Sequence, residues 1–243
     1  MAKESDGRGA RRPDLVWLFD LDDTLHDAHR SAMPELGLAM GHYIERELQL
    51  EKAASDALRR RYWLRYGATL LGLLRHHGVK AAHFLHHTHQ LPGLEARLRA
   101  HAPDIAALAT LPGRRYVLTN APRAYALRVL QTLGLLPLFD GVITIEDMRM
   151  FGQLRPKPDA RMLRHIAARL GVPPARCILV EDTLAHQKAA RRIGMKTVWF
   201  KRWVRKRTPH ERRATRLPTY VDCRVHGLRE LRQRLPGRPR PPR

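Results

Sequence analysis

The chain has 243 residues, enough for one domain of ordinary size or for a core domain carrying a smaller insertion. A hydrophobic content of 44% supports a buried core, no apolar run approaches the 18 or so residues of a membrane helix, and two cysteines cannot build a disulfide framework. The net charge of +22 is concentrated at one end, where residues 201–243 hold 15 Lys and Arg against three Asp and Glu.

The start, MAKESDGRGARRPD, lacks the apolar stretch of a secretory signal, so a reducing cytoplasm is the expected setting. Residues 15–20, LVWLFD, form an apolar run that reads as a buried strand and stops on Asp20, with Asp22 and Asp23 close behind. Clustered carboxylates at the end of such a strand are a poor way to build a core and a good way to hold a metal and a nucleophile. From Ala28 to Pro112 the chain shows no convincing strand, and Leu, Ala, His and Arg recur at helical spacings; this is expected to be an all-helical insert. Strands are then predicted at 115–120 (RYVLTN), 141–147 (GVITIED), 177–182 (CILVED) and 196–200 (KTVWF). Helical patterns at 123–135, 159–172 and 184–195 alternate with them, with Gly134, Gly171 and Gly194 where helix ends need them. Such alternation specifies a doubly wound, Rossmann-like parallel α/β core over 14–27 and 113–225, with the small helical cap (28–112) inserted after the first strand. Residues 226–243 are expected to form a C-terminal helix and a basic Pro/Arg-rich tail. The tail is expected to be solvated, with a weak nucleic-acid contact as an alternative.

Ligands in open α/β sheets bind beyond the carboxyl ends of the strands. Three predicted strands end there in chemically useful residues: Asp20 and Asp22, Thr119 and Asn120, Glu181 and Asp182. A stiff RPKPD loop adds Lys157. Together they suit phosphoryl transfer through a carboxylate nucleophile. Thr119 and Asn120 would donate to phosphate oxygens, Lys157 would balance charge, Asp22 would serve as acid and base, and Mg²⁺ would sit among hard oxygen ligands.

In this order and spacing, DLDDT (20–24), LTN (118–120), KP (157–158) and VED (180–182) resemble the four motifs of the haloacid dehalogenase superfamily. The resemblance implies that Asp20 is nucleophile and Mg²⁺ ligand, and that Asp22 is acid/base and a ligand through its backbone carbonyl. It further implies that Thr119 binds phosphate, Lys157 balances charge, and Asp182, with Glu181 near it, completes the metal site. Dehalogenases of the superfamily lack an Asp at the position of Asp22, so its presence favours phosphate chemistry. His186 stands where many relatives carry Asn or Asp.

Within the superfamily, YWLRYGATLLGLLRHHGV (62–79) and the stretches following LTN and VED resemble the pyrimidine 5′-nucleotidases. Mg²⁺-dependent release of phosphate from UMP-, CMP- or dUMP-like substrates is therefore expected, with another small phosphomonoester, such as phosphoglycolate or a sugar phosphate, as the alternative. Tyr62, Arg65 and Tyr66, beside Trp63, are the candidate substrate residues of the cap; helical spacing cannot turn all of them to one face.

Overall fold

The computed structural model describes residues 15–99, 101–203 and 217–233. The basic residues 204–216 and 234–243 lie outside them, and with them the expectations placed on the tail.

The apolar runs become a six-stranded, wholly parallel sheet. Its strands are β1 (Val16–Phe19), β2 (Arg114–Leu118), β3 (Gly141–Ile143), β6 (Cys177–Glu181), β7 (Lys196–Phe200) and β8 (Cys223–Val225), in the order β3-β2-β1-β6-β7-β8. Between β3 and β6 a small antiparallel hairpin, β4 (Arg149–Met150) and β5 (Gln153–Leu154), stands apart from the sheet. The chain winds outward from β1 to β3 and then returns to pair β6 on the other side of β1, in register Val16 with Cys177 through Phe19 with Val180. That reversal opens a crevice at the carboxyl ends of β1, β2 and β6.

Side chains alternate across the sheet. Trp17 and Phe19 pack into one apolar layer with Val117, Val180 and Phe200, whereas Val16 and Leu18 enter the opposite layer with Leu118 and Leu179. Both layers are needed because a parallel sheet is covered on both faces. The second is closed by α9 (Ala160–Arg169) and α10 (Leu184–Arg192). In α9, Met162, Leu163, Ile166 and Ala167 repeat at helical spacing on the buried side. Asp159 accepts from the N–H groups of Arg161 and Met162 at its start, and Gly171 (φ +70°) follows its end.

Among the described residues of 28–112 every regular element is a helix, and the helices divide according to what they cover. These are α1 (Ala28–Ser31), α2 (Met33–Leu48), α3 (Lys52–Tyr66), α4 (Thr69–His77), α5 (Ala81–Thr88), α6 (Leu94–Arg97) and α7 (Ala102–Ala109). The central four, α2 to α5, enclose their own core of Tyr43, Ile44, Leu58, Tyr62, Leu73 and Phe84. Ala32, Leu36, Leu94, Leu98, Ala107 and Leu108 pack instead with the sheet layer of Phe19 and Val117, together with Tyr125 and Val129 of α8 (Arg123–Thr132). The unit with an interior of its own is thus smaller than the whole insert. The expected C-terminal helix is present over only four described residues, α11 (Glu230–Gln233), with Leu231 buried.

In the cap, α3 and α4 cross where Gly72 faces Tyr62. A β-carbon on Gly72 would lie 2.2 Å from Tyr62 Cγ. Gly72→Ala is therefore expected to destabilise the protein by about 1–3 kcal/mol through overpacking, read from denaturant unfolding. No loss would show that this crossing has slack.

Candidate active site

The crevice gathers the predicted polar residues. Asp20 continues β1, its N–H donating to Val180 O at 3.0 Å, and Thr119 continues β2, its N–H donating to Ile143 O at 3.0 Å. Both are buried, as are Lys157, Glu181 and Asp182. Lys157 Nζ donates to Asp20 Oδ1 at 2.6 Å and to Glu181 Oε2 at 2.7 Å, with 1% of its side chain exposed. The loop bearing it is clamped from β2: Asn120 Nδ2 donates to Lys157 O, and Lys157 N–H donates to Asn120 Oδ1, each at 2.9 Å. The Asn120 side chain, expected to donate to a phosphate, thus also places the lysine, with one of its two Nδ2–H donors and its Oδ1 used on the Lys157 backbone. Thr119 Oγ1 accepts from Ala121 N–H at 3.0 Å, which orients the hydroxyl.

Glu181 is saturated. Besides Lys157, its Oε1 accepts from Thr183 N–H at 3.1 Å, and His186 Nδ1 lies 2.9 Å from Oε2. His186 thus faces a carboxylate of the cluster. Oxygens of Asp20, Glu181 and Asp182 come within 4.8 Å of one another. Three buried carboxyls around a single lysine leave an excess of negative charge, and the acidities reflect it. Burial and the neighbouring Glu181 push Asp20 up to about 8 against the pull of Lys157, and burial, Glu181 and Asp20 push Asp182 well above the usual carboxylate range. Burial acts the same way on Glu181, but Lys157 and His186 outweigh it and hold that carboxyl well below its ordinary value. An oxygen-rich donor set short of positive charge fits a hard divalent cation such as Mg²⁺.

Asp22 sits on the other side of Asp20. Its Oδ1 accepts from Tyr125 Oη at 2.7 Å and lies 3.0 Å from His26 Nε2. Burial disfavours its charge, yet the bonds to His26 and Tyr125 prevail and lower its pKa. Asp23, the third aspartate of the run, turns both oxygens to His29, at 2.9 Å from its N–H and 3.1 Å from Nδ1. Neither partner of Asp22 was singled out from sequence. His26 follows Asp22 by four residues, a weak local signal, whereas Tyr125 reaches it only through the fold.

These residues line a cavity of about 330 Å³, roofed by the cap with Met33, Met40, Trp63, Phe84 and Leu85. His89, at the end of α5, also lines it and stacks edge-on against Tyr125, with ring centroids 5.7 Å apart. Burial pushes His89 down to about 4 despite the nearby Asp22, so the imidazole is neutral at neutral pH. Tyr62, Arg65 and Tyr66 do not line this cavity. Tyr62 is buried in the cap core and its hydroxyl lies 2.7 Å from His77 Nε2; the Arg65 guanidinium lies over the Tyr66 ring at 5.5 Å. One residue on from Tyr62, about 100° around α3, Trp63 comes to the rim instead, 59% exposed.

A sequence profile of the haloacid dehalogenase-like hydrolases matches residues 16–194. The chain belongs to this family. Among curated hydrolases, validoxylamine A 7′-phosphate phosphatase of Streptomyces hygroscopicus subsp. limoneus is 34% identical over 122 residues, which cover 44% of this chain and 55% of that one. The chain thus spans about half of that relative's length. Fructose-1-phosphate phosphatase YqaB of Escherichia coli (strain K12) is 29% identical over 186 residues, 74% of this chain and 93% of the relative. Two solved structures share the fold. The HAD phosphatase of Thermococcus onnurineus has a TM-score of 0.60 at 23% identity, covering 92% of this chain and 98% of the other. CbbY of Rhodobacter sphaeroides, in complex with phosphate, has a TM-score of 0.59 at 19% identity, covering 89% and 95%.

Removing the lysine from this hydrolase leaves its buried carboxyls without compensation. With divalent cations chelated, Lys157→Met is expected to lose about 3–5 kcal/mol of stability. The loss should grow from about pH 5 to about pH 9, because protonation relieves the carboxyls only at the acid end. Urea unfolding across that range checks both the size and the slope; a flat, small loss would mean the cluster does not depend on Lys157.

Proposed function

We propose that the chain is a phosphatase for small organic phosphomonoesters, acting through a phosphoryl group carried transiently on Asp20. The observation that carries this reading is the buried Lys157 bridging Asp20 and Glu181, with Asp22 oriented on the far side of Asp20. An Asp20 oxygen attacks phosphorus and the ester P–O bond breaks. The leaving oxygen takes a proton from Asp22, which then accepts one from the water that attacks phosphorus in turn and frees Asp20. Lys157 offsets charge on nucleophile and phosphoryl group. Thr119, whose Oγ1 accepts from Ala121 N–H, would donate a hydrogen bond from its hydroxyl to a phosphate oxygen. Asp20, Asp182 and the backbone carbonyl of Asp22 would hold Mg²⁺, which supplies the positive charge that lets a phosphate dianion approach carboxylates. Glu181, with both oxygens engaged, fixes Lys157. Tyr125 and His26 keep Asp22 ionised, the form that takes the proton from water, while the incoming phosphate favours the protonated form that serves the leaving group.

The cavity is at the small end of ligand sites, which favours a compact ester. The names of the two curated relatives, a fructose-1-phosphate phosphatase and a validoxylamine A 7′-phosphate phosphatase, support a small organic phosphate of the sugar phosphate kind. A pyrimidine nucleoside 5′-monophosphate is the second reading, favoured by Trp63, which offers a flat face to a base at the rim.

A substrate panel decides among these. Phosphate release from sugar phosphates, phosphoglycolate, UMP, CMP, dUMP and AMP should require Mg²⁺ and vanish in Asp20→Asn. Release led by pyrimidine nucleotides and cut about tenfold by Trp63→Ala would select the second reading. No release from any ester, by folded protein with Mg²⁺, would refute both. Orientation of Asp22 has its own signature. Tyr125→Phe is expected to lower kcat on alkyl phosphates by about 10- to 100-fold with little change in KM. It should slow the first-turnover release of p-nitrophenol from p-nitrophenyl phosphate, whose leaving group needs no proton, much less. Equal losses on both would assign Tyr125 a packing role only.

A further inference from the structure

We propose that a second cleft, between the cap and the β4–β5 hairpin, binds single-stranded nucleic acid. This cleft, of about 1060 Å³, is three times the size of the catalytic cavity and separated from it by the loop that carries Lys157: Pro156 and Pro158 line the cleft, while the Lys157 side chain points the other way to Asp20. Arg75 and Lys80 stand on its cap wall and Arg149 and Arg155 on its hairpin wall. Asp159 is the one carboxylate lining it, and it is engaged by Arg155 at 3.1 Å and by the first N–H groups of α9. Among the described residues no carboxylate pairs with Arg75, Lys80 or Arg149. The floor between the walls is apolar, with Leu74 and Leu154.

Gly152 lines the cleft, and the hairpin turns through it and the adjacent Phe151, both at positive φ (+50° for Phe151 and +74° for Gly152). A two-residue turn of this kind favours Asn-Gly or Asp-Gly. A phenylalanine there costs on the order of 1 kcal/mol of backbone strain, and Phe151 recovers nothing by burial, being 96% exposed. Neither the turn nor the core accounts for it.

Cations spread over two opposing walls, an apolar floor and an exposed aromatic at the edge are what a strand with splayed bases needs: charges that follow the backbone and a ring on which a base stacks. A duplex keeps its bases paired and would leave Phe151 unused. A small dianion would be served by one tight group of buried donors, whereas Arg75, Lys80 and Arg149 are exposed. This inference is independent of the phosphatase reading, because no residue of the catalytic cluster takes part.

The test uses the full-length protein and a fluorescein-labelled oligothymidylate of about 12 nucleotides, titrated by anisotropy over a range of salt concentrations. Each phosphate neutralised contributes about 0.7 to the slope of log affinity against log salt. Arg75→Ala, Lys80→Ala and Arg149→Ala should each reduce the slope by about 0.7, and the triple variant by about 2. Phe151→Ala should weaken binding about tenfold at an unchanged slope, and a duplex of equal length should bind more weakly than the single strand. All four residues are exposed, so the variants should unfold at the parent's denaturant midpoint. Binding and slope that persist in the triple variant would place the contact on the basic segments outside the cleft and overturn the proposal, as would no binding at low salt or preference for the duplex.

Discussion

The ammonium of Lys157 is the one lysine charge inside a cluster of three buried carboxyls, and the remainder of the site is arranged around keeping it there. A charged group taken so far from water persists only if its partners are close and well directed. Here Asp20 and Glu181 lie within 2.7 Å of it, and Asn120 holds its loop at both peptide groups. The pair is not balanced, however. Two of the three carboxyls, Asp20 and Asp182, hold their protons more tightly than ordinary aspartates. A site built this way is incomplete as a set of charges and gains by taking up a cation.

That cluster exists because of the sheet's topology. β1 lies between β2 and β6, and the chain reverses direction across it, so three strands distant in sequence end beside one another. The stretches that run into the crevice are apolar (16–19, 116–118 and 177–180), which fixes their depth in the core and hence the height at which Asp20, Thr119 and Asp182 emerge. The cap's contribution differs in kind. It rests on its own core and lowers an apolar roof onto the cavity, so it shapes what enters without supplying the charges that react.

Residues at the ends of apolar runs could be read from sequence because run and terminus are contiguous: Asp20, Asp22, Thr119, Glu181 and Asp182 line one cavity, joined by Lys157 from its Pro-flanked loop. Features set by contacts between distant segments could not. The second task of Asn120, tying its side chain to the Lys157 backbone 37 residues away, could not be read from sequence. Tyr62, Arg65 and Tyr66 were chosen by residue type, but the face α3 shows to the cavity is decided by the close crossing at Gly72, which draws Tyr62 inward and leaves Trp63 at the rim. Tyr125 and His89 join the site only in three dimensions. The short β8 and the β4–β5 hairpin were missed because two or three residues carry no periodicity to detect.

The account stands or falls on the covalent use of Asp20. The most direct measurement is mass spectrometry of acid-quenched Asp22→Asn protein after exposure to Mg²⁺ and an aryl phosphate. The aryl leaving group departs without a proton, while loss of the Asp22 carboxylate slows attack by water. One added phosphoryl group on the peptide containing Asp20 is the predicted result. Turnover of the aryl ester with no phosphoryl group on Asp20 at any quench time, or with the group on another residue, would contradict it.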